Sequence, residues 1–89
     1  MYQIIKNKTF SKSYKKINPK YIKFIDWILK RLFIGPPFEK EHNVHPLSGK
    51  FNKYLSINIT GDYRIIFTID NKDKIIYLYD IWTHAQLYK

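Results

Sequence analysis

The stretch Leu55-Ser56-Ile57-Asn58-Ile59-Thr60-Gly61-Asp62-Tyr63-Arg64-Ile65-Ile66-Phe67 decides the fold. Leu55, Ile57 and Ile59 alternate with Ser56 and Asn58, and Tyr63, Ile65 and Phe67 alternate with Arg64 and Ile66. A period of two on each side of Thr60-Gly61-Asp62 reads as a β-hairpin with one apolar face. Residues opposite each other in a hairpin share a face, so the cleanest core set places Ile59 opposite Tyr63 across a three-residue loop. A two-residue turn at Gly61-Asp62 would instead put Arg64 among the buried isoleucines. The odd loop sends Arg64 to the other face, beside Asn58, Ser56 and Tyr54.

Working outward, Asp70-Asn71-Lys72-Asp73-Lys74 is a turn and Ile75 to Tyr79 a third strand. Upstream the period changes to that of a helix. Tyr21, Ile22, Ile25, Ile28, Leu29 and Leu32 form an apolar stripe that reads as core, entered through Asn18-Pro19 and stopped by Gly35-Pro36-Pro37. A first helix runs through Phe10, Tyr14 and Ile17, with Thr9, Ser11 and Ser13 as candidate caps, and Tyr2 to Lys6 is a short β-prone segment. The expected architecture is one α+β domain over residues 1–89, β-α-α-β-β-β, an antiparallel sheet with two N-terminal helices packed on one face.

The chain carries 16 Lys and Arg against 7 Asp and Glu, a net charge of +9 that sits almost wholly in the helical half. Residues 1–33 account for +8, residues 34–60 for +1, and the remainder for zero. Such a field attracts polyanions, although the abundance of Lys, Ile, Asn and Tyr also fits a compositional bias. The absence of cysteine removes disulfides, thiolate zinc sites and a cysteine nucleophile. The N-terminus has no signal pattern, and charges and prolines interrupt every apolar run, so a soluble cytoplasmic protein with no membrane association is expected.

Three histidines, His42, His45 and His84, fall outside the predicted elements, two of them at loop ends flanking the face that carries Arg64. Imidazoles titrate near neutrality and an arginine fork holds phosphate, a set suited to metal-free cleavage of RNA. Asp62 is either an ordinary turn residue or the partner of a histidine. The scattered acids do not suit a metal site, and no phosphate loop or serine elbow is present, so no metal or small-molecule cofactor is expected. Tyr54, Tyr63, Tyr77, Tyr79, Trp82 and Tyr88 gather near the sheet and its C-terminal end. Most belong to the core, with Tyr88 the best placed to stack on an RNA base.

The segments His45-Pro46-Leu47-Ser48-Gly49, Gly61-Asp62-Tyr63-Arg64 and Thr83-His84-Ala85-Gln86-Leu87-Tyr88 resemble the RelE/ParE superfamily of bacterial toxin–antitoxin toxins, most closely its YafQ-like branch. The resemblance implies a toxin that enters the ribosomal decoding site, cuts mRNA to leave a 2′,3′-cyclic phosphate, and is neutralised by a co-expressed acidic antitoxin. By position, His45, Asp62 and His84 match catalytic residues of that branch. Tyr88 stands where the branch has a Phe near the scissile nucleotide, and Tyr63 where it has a Trp. Arg64 corresponds to a phosphate-binding strand arginine of RelE-like relatives. The resemblance thus implies His84 as general acid, Arg64 as transition-state clamp, and His45 with Asp62 on the base side. Lys50 and Lys53 hold phosphate in this reading, and Tyr54, Tyr63 and Tyr88 contact RNA. One departure is Asn58, where the branch has a second histidine. A ParE-like toxin acting on gyrase without RNase activity, and a non-catalytic RNA- or antitoxin-binding relative, remain open at this point.

Overall fold

A computed structural model of the chain describes residues 1–60 and 62–83. β1 (Gln3–Lys6) leads into α1 (Lys8–Lys16), and a short 3-10 turn at Pro19–Tyr21 leads into α2 (Ile22–Ile34). Beyond α2 lie β2 (His45–Pro46), β3 (Leu55–Thr60), β4 (Tyr63–Asp70) and β5 (Ile75–Thr83), with 3-10 turns at Lys40–His42 and Gly49–Phe51. The cap of α1 is Asn7, whose side chain accepts from Phe10 N at 2.8 Å, and not Thr9, Ser11 or Ser13. The cap comes earlier than the helical period suggests because the turn out of β1 begins at once. Asn18 fills its expected role and accepts from Lys20 N at 3.1 Å. α2 ends at Gly35, where φ is +91° and a Cβ would lie 2.3 Å from the Tyr2 ring, so both backbone and space require glycine.

The five strands form one sheet in the order β1-β5-β4-β3-β2. β3, β4 and β5 are antiparallel neighbours, as expected; β2, at His45–Pro46 where the sequence suggests only a connection, adds antiparallel to β3. β1 adds to the opposite edge in parallel with β5, from Gln3↔Ile75 to Lys6↔Leu78, so the sheet is mixed rather than antiparallel throughout. The chain between them, both helices and then β2 to β4, is long enough to make the crossover that a parallel pair needs. Phe10, Ile25, Ile28 and Leu32 from the helices meet Ile57, Ile65, Phe67, Ile76, Leu78 and Ile81 from the sheet, all buried. Each such side chain contributes about 1.5–3 kcal/mol on burial. Among the described residues, no helix is long and apolar enough to cross a membrane.

Two bulges set which residues face outward. In the β3–β4 hairpin, Leu55↔Phe67, Ile57↔Ile65 and Asn58↔Arg64 pair in the expected register, but the tip closes as Thr60↔Tyr63, not Ile59↔Tyr63. The odd residue therefore sits in the strand, at Ile59, and the bulge preserves the apolar alternation. In β5 the pairing passes from Ile66↔Asp80 to Phe67↔Leu78, leaving Tyr79 as the extra residue. That bulge carries Ile81 into the core and Trp82 out of it, and the strand continues to Thr83, past the expected end at Tyr79.

Candidate functional site

The sheet face away from the core is organised by strand register. One row reads Asn58, Arg64, Trp82 across β3, β4 and β5, and the next reads His45, Ser56, Ile66, Asp80 across β2 to β5. His45 is exposed at the outer edge, its Nδ1 3.0 Å from the carbonyl of Pro46. Its backbone is fixed by the bridge to Ser56 and by the segment before it. There Asn43 takes the left-handed conformation, φ +48°, and its carbonyl accepts from Arg64 Nη2.

Arg64 is on the face expected for it but is only 6% exposed. Its Nε donates to Ser56 Oγ at 2.9 Å and its Nη2 to the Ser56 carbonyl at 3.3 Å, besides the bond to Asn43. The guanidinium thus ties β4 to β3 and to the approach to β2, directly beneath the bridge that presents His45. The clamp expected from sequence sits under the surface, not on it. His42 differs from His45 despite the shared loop. It is buried, with its ring 5.4 Å from Trp27 and Nε2 3.2 Å from Glu39 Oε2. Glu39 also accepts from Arg31 Nε at 2.9 Å, and that bond holds its carboxyl below the usual range.

The remaining predicted residues divide. Asp62 is exposed in the turn at the far end of the hairpin. Thr60 lies four residues along β3 from Ser56, the partner of His45, a span of roughly 13 Å, so Asp62 is not a direct partner of His45. Tyr63 packs on the helix side, its ring 5.2 Å from that of Tyr21, and is separated by the sheet from His45. Asn58 pairs with Arg64 in the middle of the hairpin. His84 and Tyr88 lie outside the described residues.

Lys50, Lys53 and Tyr54 are brought together with the rings of Phe51, Tyr79 and Trp82, of which only Phe51 lies outside the aromatic group read from the sequence. Phe51 stands 6.2 Å from Tyr54 and 5.9 Å from Trp82, edge to face with the latter, and Tyr54 meets Tyr79 edge to face at 4.8 Å. Lys50 Nζ lies 5.2 Å from the Phe51 centroid and Lys53 Nζ 5.7 Å from that of Tyr54, both within cation–π range. These rings line a cleft of about 210 Å³ together with Asn7, Thr9, Ile66 and Asp80. Asp80 accepts from Ser13 Oγ of α1, from Ile81 N at 2.8 Å and from Trp82 Nε1 at 2.8 Å. The spacing Ile76, Leu78, Ile81 was the available signal, because one apolar step of two followed by one of three marks the bulge that turns Trp82 outward. Among the described residues, no group of three or more His, Asp or Glu side chains stands close enough to hold a metal ion.

Comparison with known proteins extends this picture. Residues 2–89 match the family model described as "Bacterial toxin of type II toxin-antitoxin system, YafQ". No curated protein sequence matches. Among solved structures, Escherichia coli YafQ is similar at 18% identity and a TM-score of 0.83, with 100% of each chain covered. The E. coli DinJ–YafQ complex matches at 20% identity and a TM-score of 0.82, again over 100% of both chains. A YoeB/ParE toxin from Agrobacterium tumefaciens is similar at 14% identity and a TM-score of 0.75, over 92% of this chain and 98% of that one. At these identities the structures establish the shared fold, and the family rests on the match along nearly the whole sequence. The chain belongs to the YafQ family of bacterial toxins of type II toxin–antitoxin systems.

Proposed function

We propose that this toxin is an endoribonuclease that cleaves mRNA on the ribosome by metal-free acid–base chemistry. The observation that carries this reading is an exposed imidazole, His45, held on a buried arginine tether beside a sheet face lined with aromatic rings and lysines. In the proposed reaction the ribose 2′-oxygen attacks the adjacent phosphorus as its proton passes to a base. The P–O5′ bond breaks and the 5′-oxygen takes a proton from an acid, leaving a 2′,3′-cyclic phosphate and a 5′-hydroxyl. His84 is the acid, and His45 works on the base side. Asp62, remote from His45, acts through water or from the other flank of the RNA. Arg64 serves as a fixed cation under the reacting phosphate and as the positioning residue for His45. Lys50 and Lys53 contact backbone phosphate, while Tyr54 and Tyr88 stack on bases. Tyr63, packed on Tyr21, supports the fold.

The structure of a relative bound to DinJ supports an antitoxin partner for this chain as well. An acidic antitoxin segment complements the +8 charge of residues 1–33. A non-catalytic reading, in which the chain binds RNA or antitoxin without cutting, draws on Asn58 and on the commitment of Arg64 to protein oxygens. The test is primer extension on mRNA bound to programmed ribosomes, with wild type, His45→Ala, His84→Ala and a control lacking ribosomes. The catalytic reading expects stops at the decoding site with wild type alone. An absence of cleavage by folded wild-type protein overturns the catalytic reading, and a gyrase-inhibition assay then separates a gyrase-directed toxin from the non-catalytic reading.

A further inference from the structure

We propose that the cleft between Phe51, Tyr54, Tyr79 and Trp82 is a subsite for one unpaired RNA base, an inference that rests on the endoribonuclease reading and adds a determinant of substrate preference to it. The cleft is small, about 210 Å³, below the roughly 300 Å³ at which pockets begin to admit drug-sized ligands. It suits a single planar ring system. Four of its eight lining residues are aromatic, with Asn7, Thr9, Ile66 and Asp80 completing it, and the Phe51 ring is 40% exposed and so open to a ligand. Lys50 and Lys53 flank these rings, so cations stand where the sugar-phosphate chain of an inserted base would run. A purely apolar peptide or lipid tail gains nothing from that arrangement, nor from a carboxylate in the wall.

Asp80 defines the chemistry of the site. Among the described residues it accepts three donors, from Ser13, Ile81 and Trp82. A carboxylate offers about four acceptor sites, which leaves one for a ligand N–H. A base with an exocyclic amino group supplies it. Uracil places a carbonyl oxygen on each side of its one edge N–H and is repelled. The indole bond to Asp80 also fixes the Trp82 ring, so the wall is preorganised. The cleft adjoins the row that carries His45, with Asp80 three strands away in the same row, roughly 14 Å. That separation places the subsite one or two nucleotides from the scissile bond.

The chain has two tryptophans, so Trp27→Phe leaves Trp82 as a reporter inside the cleft. The experiment titrates this variant with a single-stranded RNA pentamer carrying cytosine at its centre, with the same pentamer carrying central uracil, and with one carrying a central abasic ribose. The expected result is quenching of Trp82 by the cytosine pentamer, with affinity falling about tenfold for the abasic one and in Phe51→Ala. Uracil should bind several-fold more weakly than cytosine in protein with Asp80, and the difference should shrink in Asp80→Asn, which keeps the side-chain shape. Circular dichroism confirms folding, and Phe51→Leu provides a second variant that retains apolar volume while losing the ring. Equal binding of all three pentamers, insensitive to Phe51, would overturn the subsite and leave only phosphate contacts. Ribosomal cleavage measured on the same proteins separates the two proposals. Cleavage that persists with unchanged base preference in Phe51→Ala removes the subsite alone, whereas base-dependent binding without cleavage removes the nuclease reading alone.

Discussion

Replacing Ser56 with alanine tests the tether under His45 directly. Ser56 is fully buried, and its Oγ lies 2.9 Å from Nε of Arg64, itself only 6% exposed. The substitution deletes one oxygen, opens almost no cavity, and leaves a charged N–H without that acceptor away from water. A hydrogen bond to a charged group carries about 1.5–3 kcal/mol. A chain of 89 residues has a total stability of about 4–13 kcal/mol, so the change removes a sizeable share. At about 4–8 °C per kcal/mol for a domain of this size, the melting temperature should fall by roughly 6–24 °C. The assay is urea and thermal denaturation of Ser56→Ala, Arg64→Met and the double variant. Because the two groups touch, the double-mutant cycle should return a coupling of about 1–2 kcal/mol. A coupling below about 0.5 kcal/mol, with a melting shift under about 2 °C, would mean that Arg64 does not depend on Ser56 and that the tether is misassigned.

Other outcomes follow from the same geometry. His45→Ala should abolish cleavage while changing stability by less than about 0.5 kcal/mol, since its ring is exposed; His42→Ala, which empties a packed site against Trp27, should destabilise the fold, and denaturation run beside the cleavage assay separates the two. Asn7→Ala removes the cap of α1 and should cost about 1 kcal/mol in urea denaturation. Glu39 is held below its ordinary pKa chiefly by the Arg31 bond, so its contribution is present above the unfolded carboxylate pKa and is lost as pH falls through the lower folded value. Melting curves from pH 7 to pH 3 should therefore show a smaller acid-side decline in Glu39→Gln than in wild type.

The hairpin was legible because alternation has a period of two and a buried face tolerates no slip. Ile57↔Ile65 and Asn58↔Arg64 follow from that alone. The bulge at Ile59 was not, because a three-residue loop and a bulge beside a shorter tip satisfy the same pattern. The parallel pairing of β1 depends on where two helices return the chain, and four residues of sequence carry no record of it. At the site, chemistry was easier to read than depth. Arg64 lies on the face expected for it, yet its burial depends on Ser56 of the neighbouring strand and on Asn43 of the segment before β2. His42 and His45 look alike in sequence and differ only because Trp27 and Glu39 cover one of them. The aromatic cleft draws on β5 and on the turn before β3, whose rings become neighbours only when the sheet is assembled.

The bulge at Tyr79 makes strand length a variable in what the protein presents to its surroundings. Up to Leu78, β5 obeys a simple parity, and after Tyr79 the parity is inverted. Straightening the strand with every residue retained would extend the first parity through its end, sending Trp82 and Asp80 toward the helices and Ile81 toward solvent. A core that demands apolar side chains cannot accept that exchange, so the reading frame of the face and the integrity of the core are locked to one another. A relative with an unbroken β5 would have to fill the same surface from a different set of positions, and two toxins of one fold would then offer RNA unlike surfaces without any change in loop or active-site residue.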